Sequence, residues 1–133
     1  MALIAALLWG IAPIFDKLVV SSGVSPYTGN FIRALGAIAF LALAVVFGGG
    51  LEIPSAKSVT LLLVAGALGG GLAMILYFMA LRFATASRVV PLTSIYPLFT
   101  VLFSATLLGE KLSPKVVIGT VLIVVGVALV CEG

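Results

Sequence analysis

The chain has 133 residues, 63% of them hydrophobic and only 8% charged, whereas soluble domains carry about 25% charged residues. A polar shell cannot be built from this composition, so lipid rather than water must be the principal solvent. The net charge of +3 comes from seven Lys and Arg scattered singly, which excludes a basic block for nucleic acid. With no His and a single Cys, Cys131, the chain offers no metal cluster, proton-relay His, Cys-His nucleophile pair or internal disulfide. An enzyme is not expected, and no cofactor is implied.

A membrane-spanning helix needs about 20 mostly apolar residues. Stretches 2–21, 26–47, 58–83, 89–108 and 114–131 meet or nearly meet that length, predicting an all-α integral membrane bundle of five transmembrane helices in one domain. The first run continues past Trp9 toward Val20 and lacks a charged leader, so it reads as a retained helix rather than a signal peptide. Pro13 opens its hydrogen-bond ladder. The second and fifth helices have the same entry chemistry, because Ser25-Pro26 and Ser113-Pro114 each pair a capping hydroxyl with a proline pre-set for the first turn. Gly48-Gly49-Gly50 and Pro54-Ser55 end the second helix and make the longest loop. Short connections imply that successive helices are antiparallel neighbours.

In the third helix Gly66, Gly70, Ala73, Tyr77, Ala80 and Ala84 recur at helical spacing, and the small residues suggest close helix packing. The fourth carries Pro91 and Pro97, with Thr93, Pro97, Thr100 and Ser104 on one stripe and Tyr96 beside it. Such hydroxyls either hydrogen-bond across helices or line a pathway. Gly119 and Gly126 share a side of the last helix that suits a helix or subunit contact.

Charges within the spans are the most informative residues, since each costs at least about 2.5 kcal/mol at the bilayer centre. Asp16 shares a face with Trp9 and Pro13, and Arg33 with Asn30 and Pro26. Both charges fall roughly 8–10 Å below the same membrane surface, counted along their helices, which places them at a depth where they can pair. Two readings stand: Lys17 and Arg33 snorkel to headgroups with Asp16 as a partner, or Asp16 and Arg33 face a water-accessible cavity. The cavity candidates are Trp9, Asp16, Asn30, Arg33, Tyr77, Thr93 and Tyr96. Lys57, Lys111 and Lys115 fall on the side of the N-terminus, and Lys17, Arg82 and Arg88, with Arg33, on the other. The positive-inside rule therefore gives no orientation. Balanced charge and an odd span count are what an inverted, dual-topology dimer requires.

Leu8-Trp9-Gly10 with Lys17, Asn30-Phe31 before Arg33, and Ala80-Leu81-Arg82 through Ala86-Ser87 and Pro91 form an ordered series. It continues through Pro97-Leu98-Phe99, Leu108-Gly109-Glu110-Lys111-Leu112-Ser113 and the Gly119 to Gly126 run. Across essentially its whole length the chain resembles EamA-type members of the drug/metabolite transporter superfamily. Typical members carry two five-helix repeats in opposite orientations, and this chain resembles the half-size bacterial and archaeal ones. The resemblance implies export or exchange of a small-molecule metabolite or drug by alternating access, in an antiparallel homodimer or a paralogous heterodimer. It further implies a cavity walled by the first four helices, with the fifth free for assembly, and a multi-pass place in the cell (inner) membrane among its lipid. Glu110 matches the family's loop glutamate, to which we assign a structural role. Small multidrug resistance proteins are more loosely similar: they use a first-helix glutamate, and Asp16 is the nearest carboxylate here. The rival readings are a non-transporting membrane subunit and a lipid translocase.

Overall fold

The computed structural model describes residues 1–48 and 50–132. Gly49, in the glycine run expected to close the second helix, lies outside the described residues, as does Gly133. Among the described residues the secondary structure is entirely helical, as expected of a chain whose backbone must satisfy its own hydrogen bonds in lipid. The elements are α1 (Ala2–Ser21), α2 (Pro26–Phe47), α3 (Ala56–Ala65), a π-helical segment (Gly66–Leu72), α4 (Ala73–Phe83), α5 (Ala86–Thr93), α6 (Tyr96–Leu107) and α7 (Pro114–Glu132). They compose five spans long and apolar enough to cross a membrane: Ala2–Ser21, Pro26–Phe47, Ala56–Phe83, Ala86–Leu107 and Pro114–Glu132.

Local chemistry sets the helix starts. Ser25 Oγ accepts the Thr28 N–H at 3.1 Å and Ser113 Oγ the Val116 N–H at 3.3 Å, each satisfying an otherwise orphaned donor of the first turn. Ser55 does the same for the Ser58 N–H at 3.2 Å. The third span therefore begins at Ala56, two residues before the apolar run suggested. At the other end of a helix, Gly109 adopts φ +68°, and the Glu110 N–H turns back to the Ser104 carbonyl at 3.1 Å.

Two spans are internally irregular. In the third, four glycines within Gly66–Leu72 lower the cost of widening the helix to π geometry, a form found mostly as short segments at functional sites. Among the described residues a Cβ built on Gly66 or Gly70 would meet nothing within 4 Å. The fourth span was read as one helix, and it breaks at Ser94-Ile95. Pro97 has no N–H to give the Thr93 carbonyl, and the winding tightens there. Ile95 N–H donates to the Leu92 carbonyl at 3.3 Å and Leu98 N–H to that of Ile95 at 3.0 Å.

The chain divides into two compact units. In the first, Met1–Phe83, α4 packs against both α1 and α2. Phe78 and Leu81 are fully enclosed, with Val20, Pro13, Pro26 and Gly29 buried around them. Gly29 permits the closest approach: a Cβ there would lie 2.8 Å from Phe78 Cε1. In the second unit, which begins at Ala84, α7 packs on α5 and α6. Its small apolar cleft, about 180 Å³, is lined mainly by Leu98, Val101, Leu102, Ala105, Thr120 and Val121.

Candidate functional site

In the first unit, polar side chains from α1, α2 and α4 converge. Asp16 lies one turn after Pro13 on α1 and is only 8% exposed. Arg33 lies one turn after Asn30 on α2, and its Nε approaches Asp16 Oδ1 at 3.6 Å. The carboxylate side is nearly enclosed, with 11% of the side chain accessible, while 41% of the Arg33 side chain remains open. Tyr77 of α4 is within electrostatic reach of both charges. Its hydroxyl oxygen is fully enclosed and has no hydrogen-bond partner among the described residues.

Asn30 has a different role. Buried at 8% exposure, it donates from Nδ2 to the Gly70 carbonyl at 3.0 Å and more weakly to that of Gly71 at 3.4 Å. Both carbonyls belong to the π-helical segment. The amide supplies a polar partner where the glycine-rich backbone leaves regular α geometry, and so ties α2 to the third span. Replacing Asn30 with Leu strips both carbonyls of that donor. The expected loss is about 0.5–1.5 kcal/mol, the net worth of an ordinary hydrogen bond. Thermal unfolding in detergent measures it; an unchanged midpoint would mean that the amide contributes nothing to holding the segment.

Lys17 joins α1 to α4. Its Nζ donates to the Leu81 carbonyl at 2.6 Å, in the last turn of α4, where a cation complements the negative end of the helix dipole. It is therefore engaged within the first unit. Nothing in the sequence spacing pointed to this contact, because it joins residues 64 positions apart.

Asp16, Arg33 and Tyr77 are thus brought together, with Asn30 a turn away. Trp9 is on α1 two turns before Asp16, and its indole is 67% exposed. Thr93 and Tyr96 belong to the second unit and flank the break between α5 and α6. The three hydroxyls of the fourth-span stripe donate to backbone carbonyls of their own span. Thr93 Oγ1 donates to the Val90 carbonyl at 2.9 Å, Thr100 to Tyr96 at 3.2 Å and Ser104 to Val101 at 3.1 Å.

Most large apolar side chains, among them Leu3, Phe40, Leu62, Phe103 and Leu122, are exposed on the described surface. Five apolar spans, with Asp16 of the first and Arg33 of the second paired, define a multi-pass α-helical membrane protein. The model of the EamA-like transporter family matches residues 1–131, and the chain belongs to that family. It is 34% identical to an uncharacterized protein of Pseudomonas aeruginosa, covering 96% of this chain and 43% of that one. An uncharacterized transporter of Archaeoglobus fulgidus is 31% identical over 98% of this chain and 46% of its own length. The uncharacterized transporter YoaV of Bacillus subtilis is 28% identical, over 94% and 43% respectively. The chain spans less than half the length of these relatives. No solved structure matches it.

Proposed function

We propose that this chain supplies one half of a secondary transporter of small organic metabolites or drugs in the cell (inner) membrane. A second five-helix half, an inverted copy or a paralogous chain, completes it. The carrying observation is the Asp16–Arg33 pair at 3.6 Å beside the enclosed Tyr77 hydroxyl. Ionised groups held inside apolar spans are costly and characteristically mark substrate or ion pathways. Family membership supports the same reading, and so do two relatives named as transporters. The inverted pairing rests on the odd number of spans and the balanced distribution of Lys and Arg. Transport then proceeds by alternating access, one half rocking against the other around a site near the midplane. The π-helical segment and the fourth-span break supply irregular backbone of the kind such motions use.

Tags at both ends of the chain, read for their side of exposure in intact cells, test the assembly. A mixed population of orientations is expected for an inverted homodimer. One fixed orientation moves the assignment to a paralogous partner, and if no solute moves either, to a non-transporting subunit.

A further inference from the structure

We infer that the apolar cleft between α6 and α7 holds one acyl chain of an anionic phospholipid, whose phosphate meets Lys111 and Lys115 at the cleft's outer end. The site lies wholly in the second unit and is independent of the transport reading. Three observations lead to it.

The first is the chemistry of the cleft. Its lining is apolar apart from Thr120, and the Thr120 hydroxyl donates to the Val116 carbonyl of its own helix at 2.9 Å. A buried water needs about two to four polar partners, which this lining does not offer. An apolar cavity of roughly 150 Å³ accepts a guest the size of benzene, so a cleft of about 180 Å³ takes a run of several methylenes.

The second is depth. The cleft begins at Leu112, in the connection between the last two spans, and reaches Leu98 of α6 and Val121 of α7. Leu98 lies nine residues before the end of α6 and Val121 seven after the start of α7. At about 1.5 Å per residue these are depths of roughly 10–14 Å. One leaflet of the hydrocarbon core is about 15 Å thick. The cleft therefore has the length and placement of an acyl chain in one leaflet, from headgroup level inward.

The third is charge. Lys111 adjoins Leu112 at the outer end, and Lys115 is in the first turn of α7, beside the positive end of that helix. Both are exposed, and among the described residues neither is in an ion pair or a side-chain hydrogen bond. Glu110 is the one carboxylate of residues 108–115, so this surface is net positive. Two cations at the membrane surface favour an anionic over a zwitterionic phospholipid by about tenfold. An apolar side chain of a second half would fill the cleft but leave both cations unmatched.

The test is native mass spectrometry of the purified protein in detergent, with added phosphatidylglycerol or phosphatidylcholine of identical acyl chains. Phosphatidylglycerol is expected to be retained about tenfold better. Lys111→Gln with Lys115→Gln should bring it down to the phosphatidylcholine level, whereas Lys57→Gln, which removes a cation of the first unit, should not. Ala105→Leu puts a larger side chain into the cleft and should lower retention of both lipids severalfold. If that variant fails to fold, the lysine pair compared with Lys57 decides alone. Equal retention of the two lipids, or a preference that survives loss of both lysines, overturns the inference. So does an Ala105→Leu protein that binds phosphatidylglycerol as before; if it also changes from dimer to monomer, the cleft belongs to a second copy of the chain instead.

Discussion

Arg33→Ala is expected to destabilise the protein far more than replacement of both members of the pair by apolar residues. Removing one partner strands the other, and a fully enclosed carboxylate left unpaired costs about 3–5 kcal/mol. Because 11% of the Asp16 side chain is still accessible, the penalty here should be roughly 2–3 kcal/mol. The double variant Asp16→Leu with Arg33→Met has no charge to strand, and replacing buried ion pairs by apolar groups of similar volume is often neutral or stabilising. The double variant should therefore recover the melting temperature in detergent while abolishing transport. That split assigns the pair to function. If the double variant melts as low as Arg33→Ala, the pair is a structural tie and the transport reading loses its carrying observation.

The second large effect is steric. Gly29 sits where a Cβ would come within 2.8 Å of Phe78 Cε1, and the Phe78 ring is only 1% exposed, so it has little freedom to retreat. For Gly29→Ala two terms oppose each other: overpacking of about 1–3 kcal/mol and a helix-propensity gain of about 1 kcal/mol. The net change is a modest loss. Leucine adds three more carbons against the same ring with no further gain in propensity, so Gly29→Leu should yield little folded protein. Adding Phe78→Ala to Gly29→Leu opens the space again and should restore much of what was lost, although Phe78→Ala alone costs about 3–5 kcal/mol. Residues in direct contact are coupled in this way. Additive losses in the double variant, read by fluorescence-detected size exclusion, would mean that α2 and α4 do not meet at this point.

Much of the architecture was legible before any coordinates. The presence of five spans was legible because lipid selects for runs of apolar residues about one bilayer long, although the third starts at Ala56 and the fourth at Ala86, ahead of their apolar runs. The Ser25 and Ser113 starts were legible because a cap acts on donors two or three residues away. The meeting of Asp16 and Arg33 followed from helical rise and a short loop, since counting residues from a shared surface estimates depth.

The irregularities were not legible. The glycines of Gly66–Leu72 read equally well as a packing surface, and helical periodicity does not separate a widened backbone from a close contact. The fourth span's hydroxyl stripe assumed a straight helix, which the turn at Ser94-Ile95 removes. Its hydroxyls, each near a carbonyl of its own helix, found partners locally.

The amino-acid sequence by itself determined the solvent, the spans and which few residues carry charge within them, because those properties depend on composition and on neighbours within a turn or two. Only the tertiary structure decided that Lys17 reaches the end of α4, that Asn30 holds the π-helical carbonyls and that the Tyr77 hydroxyl finds no acceptor among the described residues. Those outcomes depend on how closely separate helices approach, and a hydrogen bond forms or fails over a few tenths of an ångström.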